Sequence, residues 1–144
     1  MKTQLPFLLA TVVLGLSATQ LRAADDNTAR ENLDDRIERI NHLVDHEGRT
    51  KPALQHVSVE TGVPFDRVQA MHRDHPNIGV AGVLIANVLA DDTKKPPERF
   101  MESHSNGKKW ADIAQDNKVP VSKLTERLDR FEKGLPLNGT EKKK

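Results

Sequence analysis

The sequence predicts an all-α fold: a small helical bundle of about six or seven helices around a buried central helix, with two helix-turn-helix-like pairs. Three observations carry this. Residues 78–90, IGVAGVLIANVLA, contain Asn87 as their one polar side chain, and a helix that is apolar on every face belongs inside a domain or inside a membrane. At about 1.5 Å per residue the segment spans about 20 Å, short of the about 30 Å hydrocarbon core, so it is a core helix and not a span. Elsewhere apolar residues recur three or four apart, and glycines and prolines cut these runs into short helices.

The chain opens with a leader pattern. Lys2 supplies a positive start, residues 5–16 a short apolar stretch, and small and polar residues follow, ending in Leu21-Arg22-Ala23. This order is that of a secretory signal peptide, with cleavage after Ala23 preferred and after Ala18 as the alternative. The mature protein is therefore expected to be exported, to the periplasm or the extracellular space. The chain has no cysteine, which excludes disulfides, thiolate metal sites, thiol catalysis and lipid attachment after the leader. Removing Lys2 and Arg22 from the 22 basic residues leaves 20 against 21 acidic ones, a formal charge of −1. The remaining stretch of about 120 residues is enough for one domain without staples. Its aromatics are Phe65, Phe100, Trp110 and Phe131, with no tyrosine, too few for a surface that stacks single-stranded nucleic acid.

Residues 24–134 form the expected domain. Capping residue types at 25–32 start a helix whose stripe is Leu33, Ile37, Ile40 and Val44, and Gly48 ends it. Asp34, Asp35, Arg36, Glu38 and Arg39 fill a solvated face, and the stripe packs on the domain or against another chain. Thr50 caps a second helix, with Leu54, Val57 and His56 inward and Gly62 as its left-handed stop. A third carries Phe65, Val68 and Met71 until His75-Pro76 breaks it. Asn77 is expected to cap the central helix, which ends near Asp91-Asp92; Gly82, Ala86 and Ala90 form a small-residue stripe that lets a neighbour approach. After the loop 93–97 come a short helix with Phe100 and Met101, stopped at Asn106-Gly107, and then two faces: Trp110, Ile113, Ala114, and Val121, Leu124, Leu128, Phe131. Gly134 ends the last. Residues 135–144 have no periodicity, finish in three lysines and are read as a disordered tail.

Sliding the chain by 56 residues lays Leu54 and Val57 on Trp110 and Ile113, and Val63-Pro64 on Val119-Pro120. Duplication and convergence on one compact solution both account for this shared plan. The stretch WADIAQDNKVPVSKLTERL, through Ile113-Ala114, Val119, Ser122, Leu124 and Leu128, resembles the helix-turn-helix pattern of bacterial regulators. That resemblance implies a recognition helix over 121–130 offering Lys123, Arg127 and Arg130 to DNA. Glu126, Asp129 and Glu132 dilute the face, and nucleic acid is not the expected partner. The chain as a whole resembles small exported bacterial all-helical proteins of uncharacterised function, which implies no catalytic residues.

The candidate metal ligands are His42 with His46, four apart on one helix, and His72 with His75, at a helix end. His46-Glu47 opens like a zinc-protease motif, but Thr50 stands where its second histidine belongs. Solvent-facing histidines are the reading adopted, with no metal or other cofactor assigned. His104, after Met101, is a similar pairing. No phosphate loop, nucleophile elbow, dinucleotide fingerprint or calcium loop occurs, and the paired acids sit at helix ends or on polar faces. The expected function is that of an exported, non-enzymatic module of the cell envelope, macromolecule-binding or structural, with an unspecified protein or envelope component as its partner. An exported metal-binding protein using histidines and methionines is the alternative, and a DNA binder the second.

Overall fold

The computed structural model describes the backbone of residues 18–135 and the side chains of residues 32–135. Most of the leader pattern, residues 1–17, and the tail from 136 onward lie outside the described residues. Seven α-helices follow one another: α1 Ala18–His46, α2 Thr50–Thr61, α3 Phe65–Asp74, α4 Gly79–Thr93, α5 Pro97–Ser105, α6 Trp110–Asp116 and α7 Val121–Gly134, with a 3-10 turn Pro76–Ile78 leading into α4. No strand occurs among the described residues.

The apolar segment is the centre. Every residue of α4 from Gly79 to Leu89 is buried, and α1, α2, α3, α5 and α7 all pack on it. The α1 stripe of Leu33, Ile37, Ile40 and Val44 is buried within the same chain, which decides between domain packing and contact with another chain. Around α4 the remaining helices contribute Leu54 and Val57, Val68 and Met71, Phe100 and Met101, Ile113 and Ala114, and Leu124, Leu128 and Phe131, all buried. These are the positions that the three-and-four spacing predicts, because a helix on the surface of a core buries one stripe. No helix among the described residues is long and apolar enough to cross a membrane.

Four local expectations are corrected. Helix α1 is already formed at Ala18, so residues 25–28 are interior to it; Ala, Gln, Leu and Arg in ATQLRAA are good helix formers and give the helix no reason to start later. Thr50 is the first residue of α2 rather than its cap, with Arg49 preceding it and no side-chain cap bond; its hydroxyl turns back to Asp45. Asn77 is exposed and does not cap α4. The cap comes from α1: Asn41 Oδ1 accepts from the Ala81 N–H at 2.8 Å, and Asn41 Nδ2 donates to the Ile78 carbonyl at 3.1 Å. Leu135, assigned by sequence to the tail, is buried.

Close approaches explain two glycines. A Cβ on Gly79, at φ +69°, would lie 2.2 Å from Asn41 Cγ. On Gly82 it would lie 2.5 Å from Ile78 Cγ2 and 3.2 Å from Trp110 Cζ2, so the missing side chain at Gly82 makes room for the tryptophan. The two Val-Pro turns share a backbone conformation: Gly62 and Lys118 are left-handed, at φ +71° and +59°, and Pro64 and Pro120 follow in extended conformation before α3 and α7.

Two outcomes test this packing. Replacing Leu84, 1% exposed, with Asp places an unpaired carboxylate in the core, at a cost of several kcal/mol against a typical domain total of ~5–15 kcal/mol. Chemical denaturation of Leu84→Asp should show no cooperative transition; a wild-type curve would contradict burial. Gly79→Ala meets both backbone strain of about 1–3 kcal/mol and the clash with Asn41, whereas Gly62→Ala, with nothing within 4 Å of its Cβ, meets strain alone. Thermal melts should therefore rank Gly79→Ala well below Gly62→Ala.

Candidate functional site

Helix α1 presents Asp34, Ile37, Glu38 and Asn41 on one side, since three- and four-residue steps return to the same face. Opposite them stand Asn77 and Ile78 of the 3-10 turn, His104 of α5 and Trp110 of α6, and the cleft between has a volume of about 220 Å³. Ile37 and Ile78 are its apolar members and both are buried.

The polar groups of this cleft divide into two sets. One set holds the fold. Asp34 accepts from the backbone N–H groups of Trp110 at 2.8 Å and Ala111 at 3.2 Å, satisfying donors that the first turn of α6 leaves without intrahelical partners. Asn41 does the same for α4, as above. The second set faces the cleft without such duties. Glu38 and Asn77 are exposed, and neither makes a hydrogen bond or ion pair among the described residues. The His104 ring stacks on Trp110 with centroids 4.6 Å apart and planes 17° apart. Its Nδ1 lies 2.8 Å from the Lys108 carbonyl; a carbonyl only accepts, so Nδ1 carries the proton and Nε2 is the nitrogen left over. Trp110 is 1% exposed and its Nε1–H is buried with no acceptor among the described residues. An unsatisfied buried donor is uncommon enough to need a reason.

Of the histidines singled out from sequence, His104 lines this cleft and the others are elsewhere. His42 and His46 are brought together on α1, exposed, with stacked rings 5.9 Å apart. His72 and His75, both half-buried, sit at the end of α3 and in the residue after it. Among the described residues no group of three or more His, Asp or Glu side chains converges as a metal set would require. His72 lines a second cleft of about 500 Å³ with Lys51 and Arg73. On α7, Lys123 pairs with Asp92 at 2.5 Å and Arg127 with Glu60 at 3.8 Å, while Arg130 is exposed. The neighbouring Asp129 and Glu132 bind Arg36 of α1. Burial alone would lower the Arg36 pKa, but the hydrogen bonds and charges of these two carboxylates outweigh it and raise the value above the ordinary range.

Sequence reasoning placed Asp34 and Glu38 on a solvated face, Asn77 at a helix cap and Trp110 in the core, and left Asn41 without a role. The signal available was the 34-38-41 spacing, a polar edge running beside the apolar stripe. What it faces is set by helices more than 70 residues away in sequence for Asp34. No protein-family model, curated protein or solved structure matches the chain.

Asp34→Ala removes the acceptor for two N–H groups and should cost about 1 kcal/mol, the usual worth of a helix cap. Asp34→Asn, which keeps one acceptor oxygen, should cost less. Thermal melts followed by Trp110 emission check the order; equal stability for all three proteins would show the bonds to be idle.

Proposed function

We propose that the protein is an exported, non-enzymatic helical module that acts by binding another macromolecule of the cell envelope, or by a structural role there. The observation that carries this reading is how the polar groups of α1 are used. Asp34 and Asn41 hold the starts of α6 and α4, and Arg36 holds α7, which makes the bundle one cooperative body. Its outward helix faces of mixed charge are the natural place for contact with a partner. Export rests on the order of charge, apolar stretch and small residues over 1–23.

The stacked, exposed pair His42–His46 favours a second reading, an exported metal-binding protein. Two imidazoles leave coordination positions for water or a partner's ligand. Excess zinc or copper should then raise the melting temperature, and an unchanged value removes that reading. Lys123 and Arg127, which a DNA-reading α7 would offer, are paired with Asp92 and Glu60; this opposes the helix-turn-helix DNA reading.

The main reading predicts that protein isolated from its own cells begins near Ala24 by mass spectrometry. Cross-linking in intact cells should add mass to that species in the envelope fraction. An intact Met1 in a soluble cytoplasmic fraction, without cross-linked products, would overturn it.

A further inference from the structure

We propose that the cleft between the start of α2 and the end of α3 binds a small phosphate monoester, its phosphoryl group held by basic side chains and its apolar substituent lying on Leu54 and Pro76. Helical spacing builds both walls. Thr50 and Lys51 are four and three residues from Leu54 and share its face of α2, and His72 and Arg73 are three and four residues from Gln69 and share its face of α3. Pro76 closes one end, and Leu54, 3% exposed, is the deepest apolar member. The volume is about 500 Å³, within the about 300–1,000 Å³ of small-molecule sites.

No acidic side chain lines this cleft. Lys51 and Arg73 bring two fixed positive charges, and the His72 ring carries an N–H in either protonation state. The side chains of Lys51, Gln69 and His72 have no hydrogen bond or ion pair among the described residues. Arg73 is held through Nε alone, 3.3 Å from Asp74 in a largely exposed pair, so both of its terminal nitrogens remain for a ligand. His72 and Arg73 stand in the last turn of α3, where positive charge suits the helix dipole, and the fold accounts for them. Lys51 has no such account. It stands in the first turn of α2, the positive end of that helix, with no acidic residue in the turn and two basic side chains across the cleft. An anion between the two walls offsets this repulsion. Two fixed cations match a dianion, and the donors of Lys51, Gln69, His72 and Arg73 outnumber the two oxygens of a carboxylate but fit the three terminal oxygens of a phosphate monoester. The cleft at α1 has no comparable set: its charged members are Asp34 and Glu38, and Asp34 is committed to the start of α6.

This goes beyond the macromolecular role proposed above, and the two fail separately, because one is read in cells and the other on purified protein. Phenyl phosphate titrated into the full chain should give saturable heat in a calorimeter. Inorganic phosphate, which lacks the apolar part, should bind at least about tenfold more weakly, and benzylamine, an aromatic cation, should give no saturable heat. Lys51→Gln should lose at least about tenfold in phenyl phosphate affinity without a lower melting temperature, since Lys51 is exposed and opposes the dipole of its own helix. Lys51→Arg, which keeps the charge, should bind within about threefold of the natural chain, and Lys109→Gln, an equal loss of charge at an exposed residue outside the cleft, should leave binding unaltered. Flotation with phosphatidylcholine vesicles containing phosphatidic acid separates the two sources of the ester. Vesicle binding that phenyl phosphate competes away assigns the site to a lipid headgroup, and calorimetric binding without flotation assigns it to a soluble ester. Absence of saturable heat at about 10 mM phenyl phosphate, full affinity in Lys51→Gln, or an equal loss in Lys109→Gln would each overturn the proposal.

Discussion

A helix buried on all sides cannot give its first N–H groups to water, and α4 is such a helix from its first residue. In most surface helices the residue before the first turn supplies the missing acceptor. Here Ile78 precedes α4 and has no polar atom in its side chain. Asn41 reaches in from α1 and bonds both the Ala81 N–H and the Ile78 carbonyl, so one amide satisfies a donor and an acceptor that burial would otherwise leave costly. The rest of the structure follows from this contact. Position 79 must be glycine because Asn41 occupies the space a side chain would need, the 3-10 turn is set against α1, and the cleft wall of Asn77 and Ile78 is fixed beside Glu38.

The same helix repeats the device at Asp34. Two of the fold's buried helix starts are therefore governed by polar residues seven apart on α1, flanking Ile37 of its apolar stripe. Arg36 extends the arrangement to α7 through Asp129 and Glu132. That ion-pair network is partly exposed, with Arg36 at 21% and Glu132 at 30% of their side-chain surface, so it adds modestly to stability and mainly fixes the register of α1 against α7. Asn87, the one polar residue of the central run, is satisfied locally: its amide donates to the Val83 carbonyl at 2.8 Å and lies 3.4 Å from the Met71 sulfur. The core thus holds one exception to its apolar pattern, and that exception has partners.

The cleft and the core share a residue. Trp110 is seated against Gly82, where a β-carbon would press on its ring, held at its backbone by Asp34 and covered by His104. A side chain so constrained is a good reporter and a stable wall, because packing and hydrogen bonding leave it one position. The indole N–H is the part of it that the fold does not use. The ring is fully fitted while its buried N–H has no partner among the described residues.

Much of the architecture was legible in the sequence because it depends on local periodicity. The apolar run 78–90, the α1 stripe, the stops at Gly62 and Gly107 and the Val-Pro turns each state their structure within a few residues, through side-chain spacing and the backbone freedom of glycine and proline. Asn41, Asp34 and the cleft were not legible. A cap given by the residue before a helix leaves a trace in the sequence, whereas a cap given by a helix 40 residues away does so only once the two are packed. The four histidines at metal-like spacings illustrate the converse: spacing brought His42 to His46, but convergence of a third ligand is a property of packing, and no such set forms among the described residues. By itself the sequence determined which residues must leave water and where the chain must turn, since those follow from solvation and local sterics. Tertiary structure alone decided which polar groups hold helix ends and which are left without a partner, because that depends on what lies opposite each one in space.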